Sequence, residues 1–148
     1  WSWSRGLGDV YKRQKYNYKA MVVDDEEEIQ MLLSEILSEM GFEVSTFSNG
    51  KVAYAAFEAD PSEYDLIISD MKMPEMDGLD FLKKIRENKS LSHQPKFIFV
   101  TGGMNVDFED QSNKVVQMCD GYFYKPFRIQ KIEEVLSMVF AEKTKLGA

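Results

Sequence analysis

A single cysteine, Cys119, occurs in the 148 residues. No internal disulfide can form from it, which fits a reducing cytoplasm and leaves core packing as the plain role for the thiol. Long apolar runs are also missing. Stretches such as Phe97-Ile98-Phe99-Val100 fall far short of the roughly 20 residues that cross a bilayer. No charged-then-apolar N-terminal stretch reads as a signal peptide, so a cytoplasmic location is expected. Positive charge is scarce: 18 Lys and Arg stand against 25 Asp and Glu, for a net charge of −7. Nucleic acid and anionic membranes are held by clustered Lys and Arg, so neither is expected as a direct partner. The one histidine, His93, stands in a Ser-Leu-Ser-His-Gln-Pro stretch and reads as a solvated loop residue. What is present is the composition of an ordinary domain, 44% hydrophobic and 29% charged, and the length suffices for one proper core.

Residues 1–17 differ from the rest. Trp1-Ser2-Trp3-Ser4-Arg5-Gly6-Leu7-Gly8 has no helical or strand period. The segment looks like translated adapter sequence and is expected to be non-native or disordered, with a short surface-packed native arm as the alternative. The domain is expected over 18–142, with 143–148 as a C-terminal stub.

From Tyr18 the pattern is regular. Ala20 to Val23, Val44 to Phe47, Leu66 to Ile68, Phe97 to Val100 and Tyr122 to Tyr124 read as five short strands. Between them, Ile29 to Met40, Lys51 to Ala59, Gly78 to Glu87 and Val106 to Met118 read as helices, the last of these weakly patterned. Gly41 is a stop signal for the first. A final amphipathic helix carries Ile129, Ile132, Val135, Leu136, Val139 and Phe140. Strands alternating with helices imply βαβ units, and apolar runs without alternation imply a parallel sheet covered on both faces. With right-handed crossovers the expected fold is α/β, a doubly wound five-stranded parallel sheet. Chemistry in such sheets sits at the carboxyl ends of the strands.

The residues at those ends form a set. Strand one ends in Asp24-Asp25, strand three in Ser69-Asp70, strand four in Thr101, and strand five in Lys125-Pro126. Two carboxylates about 4 Å apart repel by roughly 4 kcal/mol at an effective dielectric near 20. Three together need a counter-charge, and Mg²⁺, a hard cation that keeps waters and phosphate oxygens in its shell, suits them. Three carboxylates, Mg²⁺ and the Lys125 ammonium sum to zero charge. Such a site suits phosphoryl transfer, where catalysis is positioning and neutralisation of oxygen charge.

At these residues the chain resembles a known family. Val22-Val23-Asp24-Asp25-Glu26, the run Ile67-Ile68-Ser69-Asp70-Met71-Lys72-Met73-Pro74-Glu75-Met76-Asp77-Gly78, Val100-Thr101-Gly102 and Tyr124-Lys125-Pro126-Phe127 are similar to the four signature blocks of response-regulator receiver domains. The resemblance covers about Lys19 to Glu142. It implies the flavodoxin-like (βα)5 fold with strand order 2-1-3-4-5. It implies that Asp70 accepts a phosphoryl group from a sensor histidine kinase or histidine phosphotransfer protein. By the same resemblance, Asp25, Asp70 and the backbone carbonyl of Lys72 bind Mg²⁺ (or Mn²⁺), and Asp24 helps through water. Thr101 and Lys125 would hold phosphoryl oxygens, and Tyr122 takes the switch-aromatic position. The Lys125-Pro126 bond would be cis. A downstream protein would read the face made by the fourth helix, fifth strand and fifth helix.

Several residues have plainer readings. Glu26, Glu27 and Glu28 read as an acidic first turn favoured by the helix dipole. Asp77 before Gly78 reads as a helix cap. Asn88-Lys89-Ser90 matches a glycosylation acceptor, which has no meaning in a cytoplasmic chain. Two other functions stay open: a binding-only pseudo-receiver, and an aspartyl-phosphate hydrolase. The second would place its nucleophile on strand one with an Asp two residues on, where this chain has Glu26.

Overall fold

The computed structural model describes residues 16–103 and 106–147. Five strands, β1 (Tyr18–Val23), β2 (Phe42–Phe47), β3 (Leu66–Asp70), β4 (Lys96–Thr101) and β5 (Gly121–Tyr124), form one parallel sheet in the order β2-β1-β3-β4-β5. This is the expected doubly wound, flavodoxin-like topology. Four α-helices are described: α1 (Glu27–Glu39), α2 (Gly50–Ala59), α3 (Gly78–Glu87) and α4 (Ile129–Gly147).

The central strands β1, β3 and β4 carry no polar alternation over their buried lengths because both faces are covered. Ala20, Val22 and Ile68 pack with Leu33, Leu37, Ile132 and Leu136 of α1 and α4. Met21, Val23 and Ile67 point the other way, against Ala53, Phe57, Phe81 and Leu82 of α2 and α3. Local signals bound the helices, Gly41 and Asp77 as expected and Asn49 in addition. Gly41, after α1, has φ of 100°, a conformation that costs a glycine little. Asn49 and Asp77 cap α2 and α3, accepting from the backbone N–H of Val52 at 3.0 Å and of Asp80 at 2.9 Å. Cys119 is half-buried beside the second cluster, and burial pushes its thiol up to about 11, in keeping with a packing role.

Three expectations need correction. The helix read over 106–118 is not there: turns occupy the segment, and its regular structure is one 3-10 turn, Val116–Met118. Its short polar side chains bond their own backbone instead. Asp107 accepts from Glu109 N–H, Asp110 from the N–H and hydroxyl of Ser112, and Asn113 from Val116 N–H. Such local bonds compete with the helical ladder. The segment still closes the second core through Phe108 and Val116, 8% and 1% exposed.

The second correction concerns the boundary at 18. Tyr16 is 7% exposed, stacks on Phe42 at 5.0 Å and lies 5.3 Å from the ring of Phe140. Its N–H donates to Met40 O at 2.9 Å. Packing thus begins before β1, through contacts remote in sequence. The expectation for residues 1–15 lies outside the described residues. Third, α4 continues to Gly147 rather than ending near 142. Among the described residues, no helix is long and apolar enough to cross a membrane.

Candidate functional site

Register brings the strand ends together. Val23 pairs with Ser69, Asp70 with Val100, and Thr101 with Tyr124. The next residues, Asp24 and Lys125, therefore flank Asp70 and Thr101 on one edge. Asp24, Asp70 and Thr101 are buried, at 0%, 7% and 4% exposure. Asp25 is exposed at the rim.

Asp70 is held from several sides. Its Oδ1 accepts from Met71 N–H at 2.7 Å, and its Oδ2 accepts from Lys125 Nζ at 3.3 Å. Behind it, the Ser69 hydroxyl donates to Asp70 O at 2.9 Å. Gly78 closes the loop after β3 by donating its N–H to Met71 O at 2.7 Å. A Cβ at 78 would sit 2.3 Å from Asp70 O and 2.8 Å from the Phe99 ring. Only glycine lets α3 start that close to the strand carrying the site. Lys72 lies in the same loop with an exposed side chain.

Asp24 Oδ1 accepts from Glu26 N–H at 2.8 Å, while Lys125 Nζ stands 3.0 Å from Oδ2. That second contact is an ion pair without hydrogen-bond alignment, and Oδ2 is a buried oxygen with no donor. Burial raises the pKa of Asp24, opposed by the Glu26 N–H and then by Lys125. Burial likewise raises that of Asp70, with Lys125 opposing. For Lys125 itself, burial would lower the pKa, but the bond to Glu26 and the charges of Asp24 and Asp70 more than offset it and raise it. The ammonium is firmly protonated.

One ligand atom from each of Asp24, Asp25, Glu26 and Asp70 lies within 4.8 Å of the others. Hard oxygen donors at that spacing, together with the donorless Asp24 Oδ2, fit a divalent cation of the Mg²⁺ type. From the sequence alone, Glu26 reads as a plain first-turn residue. It stands instead at the N-cap of α1, in extended conformation and with no side-chain capping bond. Its Oε1 accepts from Lys125 Nζ at 2.8 Å. The available signal was its place immediately after the acid pair and before the helix. Glu27 and Glu28 do occupy the first turn.

Thr101 Oγ1 accepts from Gly103 N–H at 2.9 Å, and Thr101 O accepts from Lys125 N–H at 2.9 Å. The Lys125-Pro126 bond is cis. Tyr122 is half-buried and faces the 106–118 segment. Its ring stacks on Phe108 at 4.1 Å and 6°, and its hydroxyl donates to Glu109 Oε1 at 3.0 Å.

A doubly wound sheet with acids, a threonine and a lysine at its carboxyl edge fits a receiver-type signalling domain, and comparison with known proteins agrees. The profile of the response regulator receiver domain family matches residues 20–137, and the chain belongs to that family. It is 31% identical over 125 residues to the probable transcriptional regulator ycf29 of Pyropia yezoensis, covering 84% of this chain and 54% of that protein. It is 30% identical over 122 residues to chemotaxis protein CheY1 of Helicobacter pylori, covering 82% of this chain and 95% of that one. The chain thus spans about half of the first relative and nearly all of the second. Among solved structures it is similar to a response regulator receiver domain protein from Clostridium thermocellum, with TM-score 0.71, 26% identity, and coverage of 87% of this chain and 98% of the other. It is also similar to TrrA from Thermotoga maritima, solved in complex with Mg(2+)-BeF, with TM-score 0.69, 32% identity, and coverage of 82% and 98%.

Proposed function

We propose that Asp70 takes a phosphoryl group from the phosphohistidine of a sensor histidine kinase or histidine phosphotransfer protein. The observation that carries this is the placement of Asp70: nearly buried, within 3.3 Å of Lys125 Nζ, and sharing a 4.8 Å cluster with three other carboxylates. Oδ1 is held by Met71 N–H at 2.7 Å and Oδ2 by the longer 3.3 Å bond to the Lys125 side chain, so Oδ2 is the attacking oxygen. It forms the P–O bond as the P–N bond breaks, and that electron pair leaves with the imidazole nitrogen. Lys125 and the Thr101 hydroxyl hold phosphoryl oxygens, and hydrolysis of the acyl phosphate by water resets the domain. Asp25, Asp70 and the Lys72 carbonyl would hold Mg²⁺, or Mn²⁺ in its place, with Asp24 helping through water, and the ion would supply charge neutralisation at the carboxylates and phosphoryl oxygens. The Thermotoga maritima regulator, solved with Mg(2+)-BeF on a similar fold, supports this reading.

The output is a change in a protein-binding face. Thr101 turning toward the phosphoryl group frees space on the β5 side, where Tyr122 stands. The face is made by the 106–118 turns, β5 and α4, since no α-helix occupies 106–118. Moving such an equilibrium from 1:99 to 99:1 takes about 5.5 kcal/mol of differential interaction. Two charge-assisted hydrogen bonds, at roughly 1.5–3 kcal/mol each, supply much of that.

The test is incubation with acetyl phosphate, with and without Mg²⁺, followed by intact-mass measurement. One base-labile phosphoryl group is expected, dependent on Mg²⁺ and absent from Asp70→Asn. No labelling of the parent would favour a binding-only module. Full labelling of Asp70→Asn would move the acceptor elsewhere.

A further inference from the structure

An ammonium has three N–H bonds, and three carboxylates surround that of Lys125. Glu26 Oε1 lies at 2.8 Å, Asp24 Oδ2 at 3.0 Å and Asp70 Oδ2 at 3.3 Å. The shortest contact is to Glu26 and not to the acceptor.

The three partners differ in their freedom to let go. Asp24 is fully buried, its Oδ1 takes the Glu26 N–H, and its carbonyl accepts from Gln30 Nε2 at 2.6 Å. It cannot follow the lysine. Asp70 is nearly buried and anchored by Met71 N–H at 2.7 Å. The Glu26 side chain is 61% exposed and makes no capping bond. Water can take it back at little cost, and no local task holds it. Glu26 is therefore the partner that the lysine can exchange.

We propose that Glu26 is a positioning residue acting through Lys125: its carboxylate tethers the ammonium in the resting protein and gives way to a phosphoryl oxygen when Asp70 is loaded. This rests on the reading of Asp70 as acceptor. The tether orients Lys125 but competes with the incoming group for it. Glu26 also contributes one of the four carboxylates of the cluster that fits a divalent ion. Removing it should have effects of opposite sign: weaker binding of a bare divalent ion, and tighter binding of a phosphoryl mimic once the ion is saturating. A merely structural role would move both affinities the same way.

The experiment is a pair of NMR titrations on the full chain, comparing the parent, Glu26→Ala and Glu27→Ala. The first uses MgCl₂ alone, and the second uses beryllofluoride at saturating MgCl₂. Glu26→Ala is expected to bind Mg²⁺ more weakly and beryllofluoride more tightly, each by about three- to fivefold, the range of a partly exposed ion pair. Glu27→Ala, which removes a neighbouring charge outside the cluster, is expected to match the parent in the second titration. A parent that binds beryllofluoride, with a Glu26→Ala variant that binds it no more tightly, overturns the tether alone. Equal tightening by Glu27→Ala also overturns it, because net charge would then be the cause. A parent that binds no beryllofluoride overturns the acceptor reading and the tether with it.

Discussion

Adding a divalent ion should stabilise this domain by an amount the site geometry bounds. Ligand atoms of Asp24, Asp25, Glu26 and Asp70 lie within 4.8 Å of one another. At about that separation one carboxylate pair repels by roughly 3.5 kcal/mol at an effective dielectric near 20, and Lys125 offsets one charge of four. An ion that binds the folded cluster and not the unfolded chain adds RT ln(1 + [L]/Kd), about 1.4 kcal/mol at ten times Kd. For a domain of roughly 130 residues, with unfolding entropy near 2.1 cal/mol/K per residue, that is a Tm rise of about 5 °C. The pH dependence follows from Asp24 and Asp70, whose pKa values burial raises. A carboxylate with a raised folded-state pKa contributes stability below the ordinary carboxylate range and loses it as pH rises through the raised value. The metal-free protein therefore carries the cost of the ionised cluster at neutral pH, and Mg²⁺ relieves it there. The shift should shrink as pH falls toward those values, where protons replace the ion. The assay is thermal unfolding by circular dichroism in MgCl₂ against KCl of equal ionic strength, at pH 7.5 and pH 5. Asp70→Asn should lose most of the shift while its metal-free Tm is no lower than the parent's. Equal Tm in MgCl₂ and KCl, or an undiminished shift in Asp70→Asn, would refute the reasoning.

Two further outcomes concern the frame around the site. Tyr16→Ala removes a ring that is 7% exposed and packed between Phe42 and Phe140, so chemical denaturation should show a loss of about 3 kcal/mol. Deletion of residues 1–15, which carry no core pattern, is expected to leave the denaturation midpoint unchanged. Arg86 donates to Met118 O at 3.1 Å, Gln94 Oε1 at 3.0 Å, Pro95 O at 2.8 Å and Asp120 Oδ2 at 3.0 Å, and its side chain is 15% exposed. Arg86→Met leaves Asp120 without its charge partner at the entry to β5, at a cost of about 3 kcal/mol. Hydrogen exchange should then quicken from Met118 to Tyr122, and a change confined to α3 would contradict this linkage.

The sheet and most of its active edge were legible in the sequence because their causes are local. Unalternating apolar runs such as Leu66–Ile68 mark a strand covered on both faces. In a parallel sheet every strand points the same way, so the residue after each run lands on one edge. Asp24, Asp70, Thr101 and Lys125 could be placed together on that basis, and Asp77 and Gly41 could be read as helix punctuation. Tertiary structure decided what depends on a distant partner or on a contest between local bonds. Glu26 reads as a helix-dipole residue until a lysine 99 positions away takes its carboxylate. Tyr16 joins the core through rings on β2 and α4. Over 106–118 the apolar spacing permits a helix, but Asp107, Asp110 and Asn113 bond their own backbone. The turns they stabilise carry Phe108 onto Tyr122, so the position of that ring is set by packing that no single stretch of sequence displays.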